Sequence, residues 1–545
     1  MKFFKISTIG LMSIALILFS SCTDDLNTEP RDEKRNIDQL IDLDPNLSGL
    51  VSKVYGTLAL SGASGPGSTD TPGDDAGESP FLRGIINMQD FTADDMKNRW
   101  GDNGLDPLTI TSGWDENNKF MRYMYNRIFY TATQANQVIG QMSDFDVSNS
   151  KQIVAEMKFL RALSYFYLID CFGKGPLLTE ADLGLKGGKA ESSRTEIFNF
   201  VERDLLEIEQ VIPQFIGYGR TNKAAVRMLL TKLYLNAEVY IGTNVLPSSS
   251  PNAGKNVYEL SGRYAKLVID EGGFKLADNF QSLFSGDNDV TDAKNEIIYA
   301  LIADPLTSQS YGNTTYLVNG SLNSATMTLS DFGATEGWGG HRATKAWYGL
   351  FGASAQELAQ SNDDRAKLFW TNDSSSDASK RHSYEMNDFK KWTDGYPSIK
   401  FRNTNFINPT ETILRAFSGT DFPLYRLADV YLMYAESVLR GGGGDTGLAL
   451  QYVNAVRSRS NATSINGGQL TLDFILDERA RELNFEGHRR TDLIRFGKFT
   501  GGSYLWPWKG GVKDGTSIPE HYNLFPIPLK AIQANPKLTQ NPGYN

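Results

Sequence analysis

The stretch Leu476–Phe496, LDERARELNFEGHRRTDLIRF, decides how the rest of the chain is read. Leu472, Ile475, Leu476, Ala480 and Leu483 recur at helical spacing, so one face of the segment is apolar. Glu478, Glu482 and Glu486 stand four apart, interleaved with Arg479 and Arg481. Residues three and four apart are neighbours on a helix, so the pattern predicts a ladder of ion pairs on a charged, solvent-bordering face. Gly487 is placed to cap this helix, because glycine takes the left-handed conformation freely. A second short helix is expected after it. Taken alone, the stretch implies an α-rich protein.

Working outward, the same periodicity recurs on both sides. Upstream, helix is expected to resume at Leu424, with Leu427, Tyr431, Tyr434 and Val438 on one face, and to end at Gly441–Gly444; Leu448–Arg459 follows. From Trp114 to Tyr240 the chain is mostly amphipathic helix. Ile153, Met157, Leu160, Leu163 and Tyr167 mark one face, and Ala224, Met228 and Tyr234 another. Tyr264–Ile269 continues the pattern, and no clean 34-residue period is visible. Between about Ala277 and Phe422 the periodicity weakens into a loop-rich portion with short apolar runs such as Ile297–Ile302. Ser61–Ser79 and residues 96–107 read as surface loops, rich in Gly, Ser, Asp and Asn. Leu505–Asn545, rich in Pro and aromatics, is expected to wrap the surface.

The N-terminus carries an address. Lys2 and Lys5 precede an apolar run, Ile6–Phe19, too short to span a bilayer comfortably, so residues 1–21 read as a signal peptide. Leu18-Phe19-Ser20-Ser21-Cys22 is a lipobox, in which the Cys22 thiol would carry the lipid anchor. Residues 22–45 then form an acidic tether, and residues 46–545 a single domain, with helical repeats at about 46–275 and 424–500 around the insertion at 277–422. With Cys22 lipidated, only Cys171 remains, so no intramolecular disulfide forms. Cys171 ends an apolar helix and is expected to be a small buried hydrophobe. The net charge of −10 becomes −12 once Lys2 and Lys5 leave with the leader, and no basic tract is present, which argues against nucleic acid as a partner.

Catalytic patterns are scarce. His341, His382, His488 and His521 are scattered, with neither HExxH nor Cys/His zinc spacing, and GxSxG is absent. Gly184–Lys189 falls one residue short of a phosphate-binding loop, and Ala190 stands where Ser or Thr would bind magnesium. Asp287, Asp289 and Asp292 could offer oxygens to a structural calcium, but not at EF-hand spacing. With 64 acidic residues, composition alone leaves a helical glycoside hydrolase open. The remaining signal is binding. Several aromatics sit in loops beside Gly, Asn and Asp, where a ring face can pack on the C–H face of a sugar while the polar neighbours reach its hydroxyls.

Four segments in order, AEMKFLRALSYFYLIDCFGKGPLL (155–178), PLYRLADVYLMYAESVLRGG (423–442), ERARELNFEGHRRTDLIRFGKF (478–499) and LFPIPLKAIQANPKLTQNPGY (524–544), resemble the SusD/RagB family of outer-membrane nutrient-binding lipoproteins. The resemblance implies a mostly α fold scaffolded on tetratricopeptide-type helix hairpins. It implies a non-enzymatic lid on a SusC-like TonB-dependent transporter, lipid-anchored at the cell surface, that captures oligosaccharide and hands it on. GESPFLR (77–83), RTNKAAVRMLLTKLYLNAEVY (220–240) and YGNTTYLVNG (311–320) are similar to the starch-binding branch of the family, which grips a helical α-glucan with an aromatic arc. Carried across, Tyr311 and Trp338 match two arc aromatics, and Asp75, Arg83 and Asn103 match their polar partners. The third arc aromatic falls on Asn98, a departure, and Trp100 is expected to substitute from the same loop. That departure keeps another neutral glycan, such as laminarin, open beside starch. Arg83, Lys97, Arg99 and Arg342 are the few cations near these loops, too few to favour a polyanionic glycan.

Overall fold

Polar side-chain caps start α-helices at Ser193, Asn222 and Asn256. In the computed structural model, which describes residues 48–73, 75–142 and 149–544, α1 (Phe81–Gln89) is followed by the short strand β1 (Met96–Asn98) and then by α2 (Lys119–Met142) and α3 (Ser150–Cys171). The predicted leader, the lipidation site Cys22 and the tether lie outside the described residues. Next comes α4 (Arg194–Val211), opened by Ser193. The Ser193 hydroxyl accepts the Glu196 N–H, and the Glu196 carboxylate accepts the Ser193 N–H. Asn222 caps α5 (Lys223–Leu235), and Asn256 caps α6 (Val257–Glu271). Each of α2 to α6 packs on the next in chain order. Neighbours in sequence are thus neighbours in space, the arrangement of stacked helix hairpins.

The loop-rich portion contributes β2 (Ile297–Leu301), α7 (Thr314–Gly320) and β3 (His341–Ala343). The chain then forms β4 (Phe422–Arg426), α8 (Leu427–Leu439), α9 (Thr446–Arg459), α10 (Leu472–Leu483) and α11 (Arg489–Arg495). Helix therefore resumes at Leu427 rather than Leu424. Residues 422–426 pair antiparallel with β2, Ile297 opposite Arg426 and Leu301 opposite Phe422, and both strands are buried throughout. Such fully buried strands show no alternation, so their apolar runs could be read either way. α8 links the two helical regions, packing on α6, α9 and α10.

The decisive stretch folds as predicted in outline but not in exposure. The side chains of Glu478, Glu482 and Glu486 have no solvent exposure at all. Arg365 donates to Asp363, Glu478 and Glu482, and Arg426 to Glu296, Glu482 and Glu486. Arg459 bridges Glu296 and Glu482, Arg457 and Arg481 reach Glu478, and Lys400 reaches Glu486 at 2.5 Å. A second set joins α8, α10 and α11: Arg479 binds Asp429 and Asp492, and Arg495 binds Glu436 and Asp492. Buried charges are tolerated only when paired and hydrogen-bonded. Most of these partners come from other segments, 113 and 117 residues away for Arg365 and 56 and 60 for Arg426, which is why helical spacing could not reveal them. The predicted cap is also corrected. α10 ends at Leu483 with Asn484 as its C-cap; Gly487 does take the left-handed conformation, as does Phe485, but it lies beyond the cap and also serves a close approach. A Cβ on Gly487 would sit 2.4 Å from Ile85 Cγ2, while its N–H donates to Asp90.

Cys171 is fully buried, and burial pushes its thiol well up. The C-terminal segment does more than wrap: Trp506, Phe525 and Ile527 are core residues, and the Arg490 guanidinium lies 4.2 Å from the Phe525 ring centre. Asp287, Asp289 and Asp292 do not converge on an ion. Asp287 accepts the N–H groups of Phe406 and Ile407, Asp292 accepts that of Asp278, and among the described residues no cluster of three His, Cys, Asp or Glu could hold a metal.

Candidate functional site

A three-residue strand pair brings the key loops together. β1 and β3 run antiparallel, with Met96 opposite Ala343 and Asn98 opposite His341. The loops that leave them, 99–104 and 336–340, therefore lie edge to edge. β3 is held on its other side by Ala343 N–H to Tyr396 O at 2.7 Å, and Thr344 N–H reaches Asp95 O at 2.9 Å.

Trp100 is seated on glycine backbone. A Cβ on Gly340 would fall 2.4 Å from Trp100 Cε2, so only glycine lets the indole lie there. Gly339, at φ 58°, occupies the left-handed region beside it. The indole Nε1 donates to Trp338 O at 3.0 Å, and the Trp100 N–H donates to Asn98 Oδ1 at 2.7 Å. Asn98 is fully buried and its Nδ2 has no protein partner, so it is a bracket for Trp100 rather than a member of the platform. Beneath, His341 sits among Phe91, Trp100, Tyr316 and Phe485, both ring nitrogens unpaired. Burial holds it well below its ordinary pKa, so it is a neutral ring in an aromatic floor.

Tyr311 arrives from the other side. Asp75 Oδ1 accepts the Gly77 N–H at 2.7 Å and starts a 3-10 turn, Ala76–Glu78. A Cβ on Gly77 would lie 2.9 Å from the Tyr311 Cβ, and one on Gly312 2.4 Å from Pro80 Cγ. Arg83 N–H donates to Gly312 O at 3.1 Å. Two loops are thereby locked together, and Asn313 caps α7 behind them. The Arg83 guanidinium donates to Gly77 O and lies 4.4 Å from the Tyr316 ring centre and 5.9 Å from that of Trp100. With 7% exposure, Arg83 supports the platform from below.

Four rings form a row. Trp100 and Trp338 lie 6.3 Å apart between centres, Trp338 and Tyr311 6.1 Å, and Tyr311 and Phe417 5.1 Å, each pair tilted by 45–58°. Trp100, Trp338 and Phe417 are half-buried and Tyr311 is exposed. Trp338 is fixed by its N–H to Asn319 O at 2.7 Å and by Nε1 to Glu336 at 3.1 Å. Asp75 and Asn103 are exposed in the loops that carry Tyr311's support and Trp100. Phe417 was not anticipated. It sits in a Gly/Ser-flanked run with no periodicity, one phenylalanine among 30, and only its contact with Tyr311 marks it. The cations are fewer than sequence proximity implied. Lys97 is wholly buried, its Nζ donating to Ala93 O at 2.6 Å, and burial lowers it to about 8. Arg342 is also buried, donating to Gly340 and Asp394 carbonyls. The platform is apolar and tilted, with a polar rim, and suits stacked neutral rings.

Residues 295–544 match the model of the SusD family, and residues 32–235 match a model described as starch-binding, associating with the outer membrane. The starch-binding protein SusD of Bacteroides thetaiotaomicron is 31% identical over the whole of this chain and 98% of its own length. Surface glycan-binding protein A from Bacteroides fluxus shares the fold at 20% identity, with a TM-score of 0.67 over 92% of this chain and 99% of that one. The homonymous protein from Bacteroides thetaiotaomicron, solved in complex with laminarihexaose, does so at 19% identity, with a TM-score of 0.65 over 91% and 99%. The 31% identity over the full length, with the fold shared with these solved structures, places this chain in the SusD family.

Proposed function

We propose that the protein captures a neutral oligosaccharide or polysaccharide on the Trp100–Trp338–Tyr311–Phe417 row, with starch-type α-glucan as the leading ligand. The row itself carries this reading: four adjacent ring faces, pre-set by glycine contacts and backbone hydrogen bonds, need little ordering on binding. Asp75 and Asn103 supply hydroxyl partners at the rim. Full-length similarity to a starch-binding relative supports α-glucan. The departure at Asn98 favours a second ligand of the same class, a β-glucan such as laminarin, because Trp100 meets the row from a different loop position. Binding is non-covalent, each ring adds a modest contact, and repeated units of a polymer add avidity. The protein is anchored at the cell surface through Cys22 and closes as a lid over a SusC-like TonB-dependent transporter, to which it passes the glycan. Among the described residues no helix is long and apolar enough to cross a membrane, which is compatible with such an anchor. Affinity electrophoresis against a panel of neutral polysaccharides tests the reading. Retardation by amylopectin that a Trp100→Ala/Trp338→Ala variant loses supports it; retardation by laminarin alone transfers it to β-glucan; retention of binding in the double variant contradicts the role of the row.

A further inference from the structure

The row does not stop at a blank surface. Phe417, its last ring, lies inside a run whose other residues, Ile413, Arg415 and Gly419, line an open cavity of about 300 Å³. Ala303, Asp304 and Pro305, from the segment that leads from β2 to Tyr311, line it as well. Both segments are thus continuous in chain with the two rings at that end of the row. Arg415 and Phe417 are two residues apart, so their Cα atoms are separated by at most about 7 Å.

The cavity is built rather than incidental. Arg415 N–H donates to Gly333 O at 3.3 Å, and its carbonyl accepts the Thr335 N–H at 3.1 Å, which pins the backbone at this point. Gly419 N–H donates to Asn403 Oδ1 at 2.8 Å. Asp304 Oδ1 accepts the N–H groups of Leu306 at 2.8 Å and Thr307 at 2.6 Å. Those two donors hold its carboxyl below the usual range, Thr307 contributing most. Asp304 is therefore a fixed anion. Arg415 is half-buried and, among the described residues, its guanidinium has neither a hydrogen bond nor an ion pair, though its charge acts on Asp304. A guanidinium held over a cavity with its five donors uncommitted is poised for a ligand.

The chemistry selects the ligand class. A planar fork of donors lining one cavity with a carboxylate matches vicinal hydroxyl groups, which can accept from one and donate to the other. Ile413 and Pro305 give the C–H face of a ring something apolar to lie against. Asp289, Asp304 and Glu411 outnumber the single cation at the lining, so an anionic sugar would be repelled. We propose that this cavity is an additional subsite, in which Arg415 and Asp304 bind the hydroxyls of a neutral sugar unit of the same chain that stacks on the row. The proposal rests on the glycan-binding reading of the row and deepens it: the subsite makes the protein select for chain length.

Calorimetry of the full chain with maltotriose and maltoheptaose, and with laminaritriose and laminarihexaose, tests this. The wild type is expected to bind the longer member of its preferred series more tightly than the shorter. Arg415→Ala should remove about tenfold of the affinity for the longer ligand and leave that for the trisaccharide unchanged, because a hydrogen bond to a charged group in a partly solvated site is worth about 1.4 kcal/mol. Arg415→Lys should restore part of the loss. Unchanged trisaccharide binding also certifies that the variant is folded. Equal affinities of Arg415→Ala and wild type for the longer ligand would overturn the subsite while leaving the row intact. Wild type inert towards both series would overturn the row reading, and the subsite with it.

Discussion

At the scale of single residues, the site depends on what is missing as much as on what is present. Gly340 carries no side chain because Trp100 occupies that space, with the indole 2.4 Å from where a Cβ would be. Gly340→Ala must therefore tilt a rigid ring out of the row. Its glycan affinity is expected to fall about tenfold, as in Trp100→Ala, read by calorimetry against the ligand that the wild type binds. Phe417→Ala, which removes an end ring, should cost less, about threefold to tenfold. Equal losses for Phe417→Ala and Trp338→Ala would mean that the centre of the row lies elsewhere. At this scale the sequence was only partly legible. Trp338 and Tyr311 could be found because they stand in Gly- and Asn-rich loops and match a family pattern. Asn98 could not be judged from its place in that pattern, since its burial depends on β1 pairing with β3, more than two hundred residues away. Phe417 carried no local signal at all.

At the scale of elements, the helix α10 was legible as a helix and misread as a surface. Its apolar positions and its Thr471 cap, whose side chain accepts the Phe474 N–H, are local facts. The destination of its glutamates is not, because Arg365, Arg426 and Arg459 come from other segments. Those arginines hold Glu482 well below the usual carboxylate range, Arg459 first. Glu482→Ala leaves three guanidinium groups around a void and should destabilise the fold by about 3–5 kcal/mol in chemical denaturation. Glu207→Ala is the control. Its carboxylate meets Lys158 at the surface with 65% exposure, and its loss should cost less than about 1 kcal/mol. A comparable loss in both variants would refute the view that the buried network organises the stack. The strands β2 and β4 were missed for the opposite reason: burial on both faces erases the alternation that marks a strand.

At the scale of the whole molecule, the buried charges set an acid limit on stability. Glu478, Glu482, Glu486, Glu436 and Asp492 are all held below their ordinary values by adjacent arginines or Lys400, so the unfolded chain binds their protons first. Stability from these groups is present above the ordinary carboxylate pKa and is lost as pH falls through the folded values. His488, lowered to about 3, and His382, lowered to about 4, both by burial, act in the same direction: the unfolded state takes their protons from about 6.5 downward. Asp95 and Asp421, raised by burial to about 7, together with Asp90, Asp204 and Asp477, also raised by burial, form an opposing set, which favours the folded state only while it keeps its protons. The carboxylates and histidines outnumber it, so the melting temperature should drop steeply between pH 5 and pH 3; a flat profile over that range would contradict the network. The α-rich class and the order of the helices were legible throughout, because α2 to α6 pack in chain order and their contacts are local. The site was legible only in part: three of its four rings stood out in loops, but their assembly into a row, and Phe417 at its end, depends on four loops drawn from across the chain. The measurement that tests the central claim most directly is calorimetry of the wild type and the Trp100→Ala/Trp338→Ala variant against amylopectin and laminarin. Saturable binding to one of these neutral glucans, abolished in the variant while its melting temperature is retained, is the predicted result; binding that survives loss of both rings would contradict it.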